Sequence, residues 1–287
     1  MKSKIVDRTE VVLNETQTKI ARSGWGRDAI DNTTVEKITY LSDGLKVKGY
    51  AAYPNTIEMN EKLPCIIWCR GGIGNSGAID SFNAKGIFGQ LASWGYVVFS
   101  SQYRGNDGGE GKDEFGGGDV NDIINLVDLA DDFEFADTNN WGIEGWSRGG
   151  MMTYLTLTRS KIFKAAVVTG GIANLRCNSD ESKFMRKLYE VTMGDYGSEN
   201  FNDKCHSRSI VNFPEKLNES TPLLIIHGTA DNRVLPHDSM DLSYHLLKLK
   251  REFRLVMLEN GDHFLKKHRR TVDLLRKDWF EKYLRTV

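Results

Sequence analysis

The chain carries almost no net charge: 38 lysines and arginines stand against 39 aspartates and glutamates in 287 residues, a formal −1. That balance gives no electrostatic basis for binding nucleic acid or an anionic membrane. No run of about 18 apolar residues occurs, so no segment reads as a transmembrane helix. The opening residues, Met1-Lys2-Ser3-Lys4-Ile5-Val6-Asp7-Arg8, lack the apolar stretch of a secretory signal. Cysteine is scarce, with four in all. Cys65 and Cys69 share one expected strand, roughly 13 Å apart when extended, beyond the reach of a disulfide. Cys177 and Cys205 could be neighbours, but nothing in the sequence pairs them. The expectation is four reduced thiols in a cytoplasmic protein. Internal repeats and low-complexity segments are absent too, and the length suits one large core.

What is present is a series of short apolar runs. Pro64–Trp68, Tyr96–Phe99, Trp141–Glu144, Phe163–Thr169, Leu223–Ile226 and Phe253–Leu258 read as strands buried on both faces. Helical spacing separates them: Val120–Leu129, Met240–Leu249, and Arg270–Leu284 with Val272, Leu275, Trp279 and Tyr283 on one stripe. The alternation predicts an α/β fold, a mostly parallel sheet with helices on both faces. Ahead of it, Ile38–Leu41 and Leu45–Ala51 flank Ser42-Asp43-Gly44, the pattern of a hairpin. Residues 1–35 are polar and weakly periodic and are expected to be an N-terminal arm with no assigned elements. The catalytic domain is expected over 36–287. Residues 172–220 break the alternation and read as an insertion that forms a partial lid.

The chemistry concentrates at Gly145-Trp146-Ser147-Arg148-Gly149, between a strand-like and a helix-like run. A serine flanked by glycines on such a turn is the pattern of a nucleophile elbow. The turn is strained, and the glycines avoid collisions with neighbouring backbone. A serine hydroxyl needs a base, and the base needs an orienting acid. Asp231 leaves the strand Leu223–Ile226, 84 residues after the serine, and His263 leaves the last strand 32 residues later. All three are expected at strand C-terminal ends, where open α/β sheets build their sites. His227 comes too early and reads as a buried hydrogen-bonding residue. His237, His245 and His268 read as surface histidines, and His206 is unassigned. Asp262 could replace Asp231 only in an unusual loop.

A developing oxyanion needs two N–H donors. Arg148 supplies one at a helix N-terminus. The loop Cys69-Arg70-Gly71-Gly72-Ile73-Gly74 supplies the other, with Gly72 first and Ile73 next. Gly72–Gly77 also matches a dinucleotide-binding pattern, but the following strand ends Phe99-Ser100-Ser101-Gln102 without the required acid. The basic run 266–270 reads as a solvated helix start. No metal or organic cofactor is implied.

With these residues in view, the chain resembles the catalytic domain of the prolyl oligopeptidase family of serine peptidases, an α/β-hydrolase, over about 35–284. The resemblance rests on Ser42-Asp43-Gly44-Leu45 with Gly49-Tyr50; Tyr103-Arg104-Gly105; Gly116-Gly117-Gly118-Asp119-Val120; Gly145–Gly150; His227-Gly228 with Asp231 and Val234; and Gly261-Asp262-His263. It implies a Ser147–Asp231–His263 triad acting on a short peptide, without the β-propeller such peptidases usually carry. Small-ester hydrolysis is the alternative, and a non-catalytic binding protein on the same scaffold is the third reading. Arg70 stands where the family often has histidine. For a peptidase that binds a free amine, Glu190, Asp195 and Glu199 are the candidate acids. Oligomeric state cannot be read.

Overall fold

The computed structural model describes residues 3–285; Met1, Lys2, Thr286 and Val287, the ends of the two expected segments, lie outside them. In chain order the elements are β1 (Ile5–Glu10), α1 (Glu15–Trp25), α2 (Arg27–Asp31), β2 (Thr33–Ser42), β3 (Leu45–Pro54), β4 (Leu63–Cys69), α3 (Ser81–Ser93), β5 (Val97–Ser101), α4 (Val120–Ile124), β6 (Ala136–Trp146), α5 (Arg148–Leu157) and β7 (Phe163–Thr169). There follow α6 (Leu175–Glu181), α7 (Lys183–Met193), α8 (Glu199–Arg208), β8 (Leu223–Gly228), α9 (Pro236–Lys248), β9 (Phe253–Leu258) and α10 (Arg269–Leu284).

The strands form one sheet in the order β1-β2-β3-β5-β4-β6-β7-β8-β9. The β1–β2, β2–β3 and β3–β5 pairs are antiparallel, and every later pair is parallel. The parallel strands β4, β5 and β8 are buried at every position, as unbroken apolar runs require when helices cover both faces. One core cluster, including Ile67, Phe99, Trp141, Met151 and Ile225, lies on one face of the sheet. The other, including Ile66, Phe88, Val98, Leu224 and Trp279, lies opposite. Alternation along β4 sends Ile66 to one face and Ile67 to the other.

Three segments differ from expectation. The N-terminal arm is built into the fold: β1 pairs with β2, and α1 and α2 pack on α3. The helix expected over 120–129 stops at Ile124 and resumes as a 3-10 turn at Val127. In this short helix the buried Asp122 carboxylate accepts from Ser42 Oγ and from Arg104 N, Nε and Nη2, tertiary contacts that local spacing does not carry. Residues 172–220 contain no strand, as expected, but are largely helical, holding α6, α7 and α8 between β7 and β8. No helix among the described residues is long and apolar enough to cross a membrane.

Candidate active site

β6 delivers the chain to Ser147, and α5 begins at the next residue. Ser147 sits at φ 59°, ψ −121°, a conformation that L side chains seldom adopt. The elbow closes so tightly that a Cβ at Gly145 would overlap the Gly149 carbonyl, and a Cβ at Gly149 would overlap the Cys69 carbonyl on β4. The flanking glycines are therefore a packing requirement of the turn. A Cβ at Gly71 would stand 3.4 Å from Ser147 Cβ, which puts the loop after β4 beside the serine.

Asp231 follows β8 and His263 follows β9. His263 Nδ1 donates to Asp231 Oδ2 at 2.7 Å. The other carboxylate oxygen, Oδ1, accepts from Arg233 N (2.9 Å) and Val234 N (3.1 Å). His227 also approaches Oδ2 at 3.4 Å. Its Nε2 contacts the Val234 carbonyl at 3.0 Å, and its Nδ1 contacts Ser239 Oγ at 2.6 Å. A carbonyl can only accept, so the network assigns the proton to Nε2 and leaves Nδ1 accepting from the serine. Burial would raise the Asp231 pKa; hydrogen bonds from His227 and His263 more than offset it and hold the carboxylate below its ordinary range. The two loops are stitched to each other: Thr229 N donates to Leu258 O and Ala230 N to Gly261 O, both at 2.9 Å. A Cβ at Gly228 would overlap the Gly261 carbonyl, so both glycines are needed for this approach. Trp146 Nε1 donates to the His263 carbonyl at 3.0 Å, tying the elbow to the histidine loop.

Ser147, His263, Arg148 and Gly72 line one cleft of 540 Å³, with Asp231 buried behind His263. Among the described residues, Ser147 Oγ and His263 share no hydrogen bond. Of the two loop amides considered for the oxyanion, Ile73 N–H is already spent on Ser76 O at 2.8 Å. Gly72 N–H has no acceptor among the described residues, and Gly72 holds a φ of 73°, a left-handed conformation that favours glycine. The Gly72–Gly77 stretch forms a tight bridge between Ile73 and Ser76, and α3 starts only at Ser81.

The Arg148 side chain, 1 % exposed, runs beneath the site. It donates to both oxygens of Asp113 (2.8 and 2.6 Å), to Asp119 Oδ2 (2.6 Å) and to the Gly72 carbonyl (3.1 Å). Tyr103 and Phe115 each lie 4.6 Å from its Cζ. Burial would lower the Arg148 pKa, but Asp119 and Asp113 raise it above its ordinary value. Among the described residues, Arg70 has only carbonyl acceptors, those of Gln102, Gly71 and Gly74. Its burial, and next the nearby Arg148, lower its pKa to about 10. Local sequence spacing gave no sign of the Arg148–Asp113 pair. Asp119 was visible only as part of a family-like motif.

The other residues singled out from sequence lie elsewhere. Glu190 accepts from Tyr196 N, Glu199 opens α8, and neither they nor Asp195 line the cleft. His268 donates to Glu259 O at the surface, and His206 is exposed. All four cysteines are free: Cys205 rests on Met193, and Cys177 faces His237 rather than Cys205.

A largely parallel sheet with an elbow serine and an acid–histidine pair on the last two strand exits defines an α/β-hydrolase. The sequence from 83 to 286 matches the model of the prolyl oligopeptidase family. The chain belongs to that family and is a serine hydrolase of it. It is 30% identical to the uncharacterized peptidase YtmA of Bacillus subtilis (strain 168) over 238 residues, 82% of this chain and 89% of that one. It is 28% identical to the uncharacterized peptidase YuxL of the same organism, covering 87% of this chain but 39% of that one. Among solved structures, an acylaminoacyl peptidase in complex with Z-Gly-Gly-Phe-chloromethyl ketone superposes with a TM-score of 0.76 at 25% identity, covering 90% of this chain and 43% of the other. The chain thus spans most of one relative and under half of the longer ones.

Proposed function

We propose that the chain hydrolyses ester or amide bonds by acyl transfer. Ser147 attacks the carbonyl, His263 takes its proton and returns it to the leaving group, and Asp231 fixes the imidazole tautomer and stabilises the imidazolium. The observation that carries this is the 2.7 Å Nδ1–Oδ2 bond. It spends the Nδ1 proton on Asp231, leaving Nε2 as the ring's base, and His263 lines the same cleft as the strained serine. The amides of Arg148 and Gly72 then receive the oxyanion.

The cleft wall supports a view of the acyl group. Trp68, Phe115, Phe184, Met185, Leu188 and Phe264 line it, and no carboxylate does among the described residues. A substrate ammonium would be desolvated there without a partner. We therefore favour a peptidase for short N-blocked peptides over an aminopeptidase. The same apolar wall favours short acyl esters as the second reading. The test is initial rate on p-nitrophenyl esters from acetate to octanoate, beside acetyl-alanyl and free alanyl p-nitroanilides. The blocked anilide should be cleaved faster than the free one, with both lost in Ser147→Ala. Turnover that survives Ser147→Ala would overturn the mechanism. Failure of the wild type to react with a fluorophosphonate probe would favour the non-catalytic reading.

A further inference from the structure

Away from the cleft, α6 and the first turn of α9 bring four ligating side chains together. Cys177 and Glu181 stand one turn apart on α6, so both project from one face. His237 and Asp238 are consecutive in the first turn of α9. Cys177 Sγ lies 2.9 Å from His237 Nε2 and 3.3 Å from Glu181 Oε1, and that carboxylate oxygen lies 3.7 Å from His237 Nε2. An oxygen of Asp238 lies within 4.8 Å of both the sulfur and the ring. A tetrahedral ion bound at about 2.3 Å to sulfur and about 2.0–2.2 Å to nitrogen and oxygen separates its ligand atoms by about 3.4–3.6 Å. The distances among Cys177, His237 and Glu181 bracket those values.

Asp238 gives an independent indication. It is fully buried, and its Oδ2 accepts from Ala173 N, Asn174 N and Asn178 Nδ2. Its Oδ1 is equally buried yet has no hydrogen-bond partner. A buried carboxylate oxygen left without a donor is costly and calls for a cation or water. Asp241 adds a further negative charge beside the thiol. Among the described residues, Glu181, Asp238 and Asp241 have no lysine or arginine partner, while Cys177 and His237 are partly open to solvent and leave an entry path.

We propose that Cys177, His237, Asp238 and Glu181 form a binding site for a divalent ion of the zinc type. The donor set decides the class: thiolate and imidazole select zinc-like ions over magnesium or calcium, which take all-oxygen shells. Binding replaces the S–H bond by a sulfur–metal bond, and the proton leaves to solvent. The ion clips the insertion to the scaffold. Asn178 of α6 also accepts from Leu235 N, at the end of the Asp231 loop, and α7 carries Phe184, Met185 and Leu188 to the cleft. Its role is structural and takes no part in acyl transfer.

The test uses the full chain, stripped with a chelator and titrated with cobalt(II) and zinc(II). One equivalent of cobalt should give a thiolate-to-cobalt charge-transfer band, and both that band and stoichiometric zinc binding should vanish in Cys177→Ser and in His237→Gln. A missing band in the wild type, or stoichiometric binding that survives both substitutions, overturns the site. A measurement on the wild type alone guards against variants that fail to fold. Cys65, Cys69 and Cys205 are buried, so iodoacetamide should label Cys177 alone in the stripped chain. Zinc should abolish that labelling, and equal labelling with and without zinc overturns the proposal. Hydrolysis is read in neither experiment, so the outcome is independent of the acyl-transfer reading.

Discussion

Replacing Arg148 by methionine should be among the most damaging single changes in the chain, and its pH dependence should have an unusual sign. The substitution keeps an unbranched apolar stem between Tyr103 and Phe115 but removes a cation that faces two acids. The side chain of Asp119 is 0 % exposed and that of Asp113 is 10 % exposed. Four hydrogen bonds from Arg148 disappear, and two buried carboxylates lose their counter-charge. Breaking a buried ion pair from one side costs about 3–5 kcal/mol, more than the pair is worth, because the remaining charge is uncompensated. Against a total stability of about 5–15 kcal/mol, urea unfolding at pH 7 will show the loss clearly.

The sign against pH follows from Asp113. Burial would raise its pKa, but Arg148 more than reverses this and holds it below the usual carboxylate range. In the wild type that group adds stability above its unfolded pKa of about 4, and the contribution is lost as pH falls toward the folded value. In Arg148→Met, burial dominates at Asp113, its folded pKa rises above its unfolded value, and the variant gains stability as pH falls from 7 toward 4. The gap between wild type and variant should therefore narrow on acidification. Arg148→Lys separates charge from geometry. One ammonium restores the wild-type trend with pH, but it cannot serve Asp113, Asp119 and the Gly72 carbonyl together, so part of the stability loss remains. A loss under about 1 kcal/mol at pH 7, or a gap that stays constant from pH 7 to 5, refutes this reasoning.

Asp231→Asn should lower kcat on p-nitrophenyl acetate by about 10⁴-fold while the protein stays folded, since the amide favours the wrong imidazole tautomer; a loss below about tenfold would remove Asp231 from the mechanism. Trp146→Phe deletes the bond to the His263 carbonyl and should lower kcat with little change in KM, costing about 1 kcal/mol of stability; a changed KM with unchanged kcat would argue against a positioning role. Gly149→Ala should fail to fold, because the new Cβ overlaps the Cys69 carbonyl. Gly24→Ala, in open space on α1, should raise Tm by the equivalent of up to about 1 kcal/mol. Equal behaviour of the two glycine variants in thermal melts would contradict the packing account.

What could be read from sequence was what is local. β7 and β9 match their apolar runs to the residue, but only β7 is covered on both faces as expected; β9 is the sheet's edge strand, with Leu258 its only buried residue. Ser147, Asp231 and His263 could be picked out because each sits just past its own strand, at a place the fold type assigns to function. α3 was not legible. It is buried over most of its surface, with Ala84, Lys85, Gly86, Phe88, Gly89, Leu91 and Ala92 all inside, so no polar face marks a helical period. The supports of the site were hidden for a different reason. Arg148 meets Asp119 and Asp113 across 29 and 35 residues, and Trp146 meets His263 across 117. No windowed pattern spans such distances. Cys177 and His237, read separately as a free thiol and a surface histidine, become a ligand pair only when α6 and α9 meet.

The N-terminal segment failed to read as structure because its apolar residues are few and thinly spread; Ala21, Ala29 and Ile30 cluster with Leu13, Trp25 and the distant Phe82, and those contacts back the cleft. Trp25 packs edge-on to Phe82 with ring centroids 5.5 Å apart, and its ring fills the space that a Cβ at Gly86 would need. Thr33 Oγ1 donates to the Ala29 carbonyl, and Lys85 Nζ donates to Thr33 O, both at 2.6 Å. These contacts fix α3, whose Asn83 and Ile87 line the cleft. Deleting residues 1–32 should therefore harm stability and catalysis together. Val11 and Ile30, both 6 % exposed, bury about 1.5–3 kcal/mol of side chain each. Ala21, Ala29 and the pairing of β1 with β2 add to that, for a loss on the order of 5 kcal/mol, comparable with the whole stability of many domains. Thermal melts and ester turnover of the truncated chain would check this. A soluble truncated protein with wild-type Tm and kcat would show that the segment is an appendage after all.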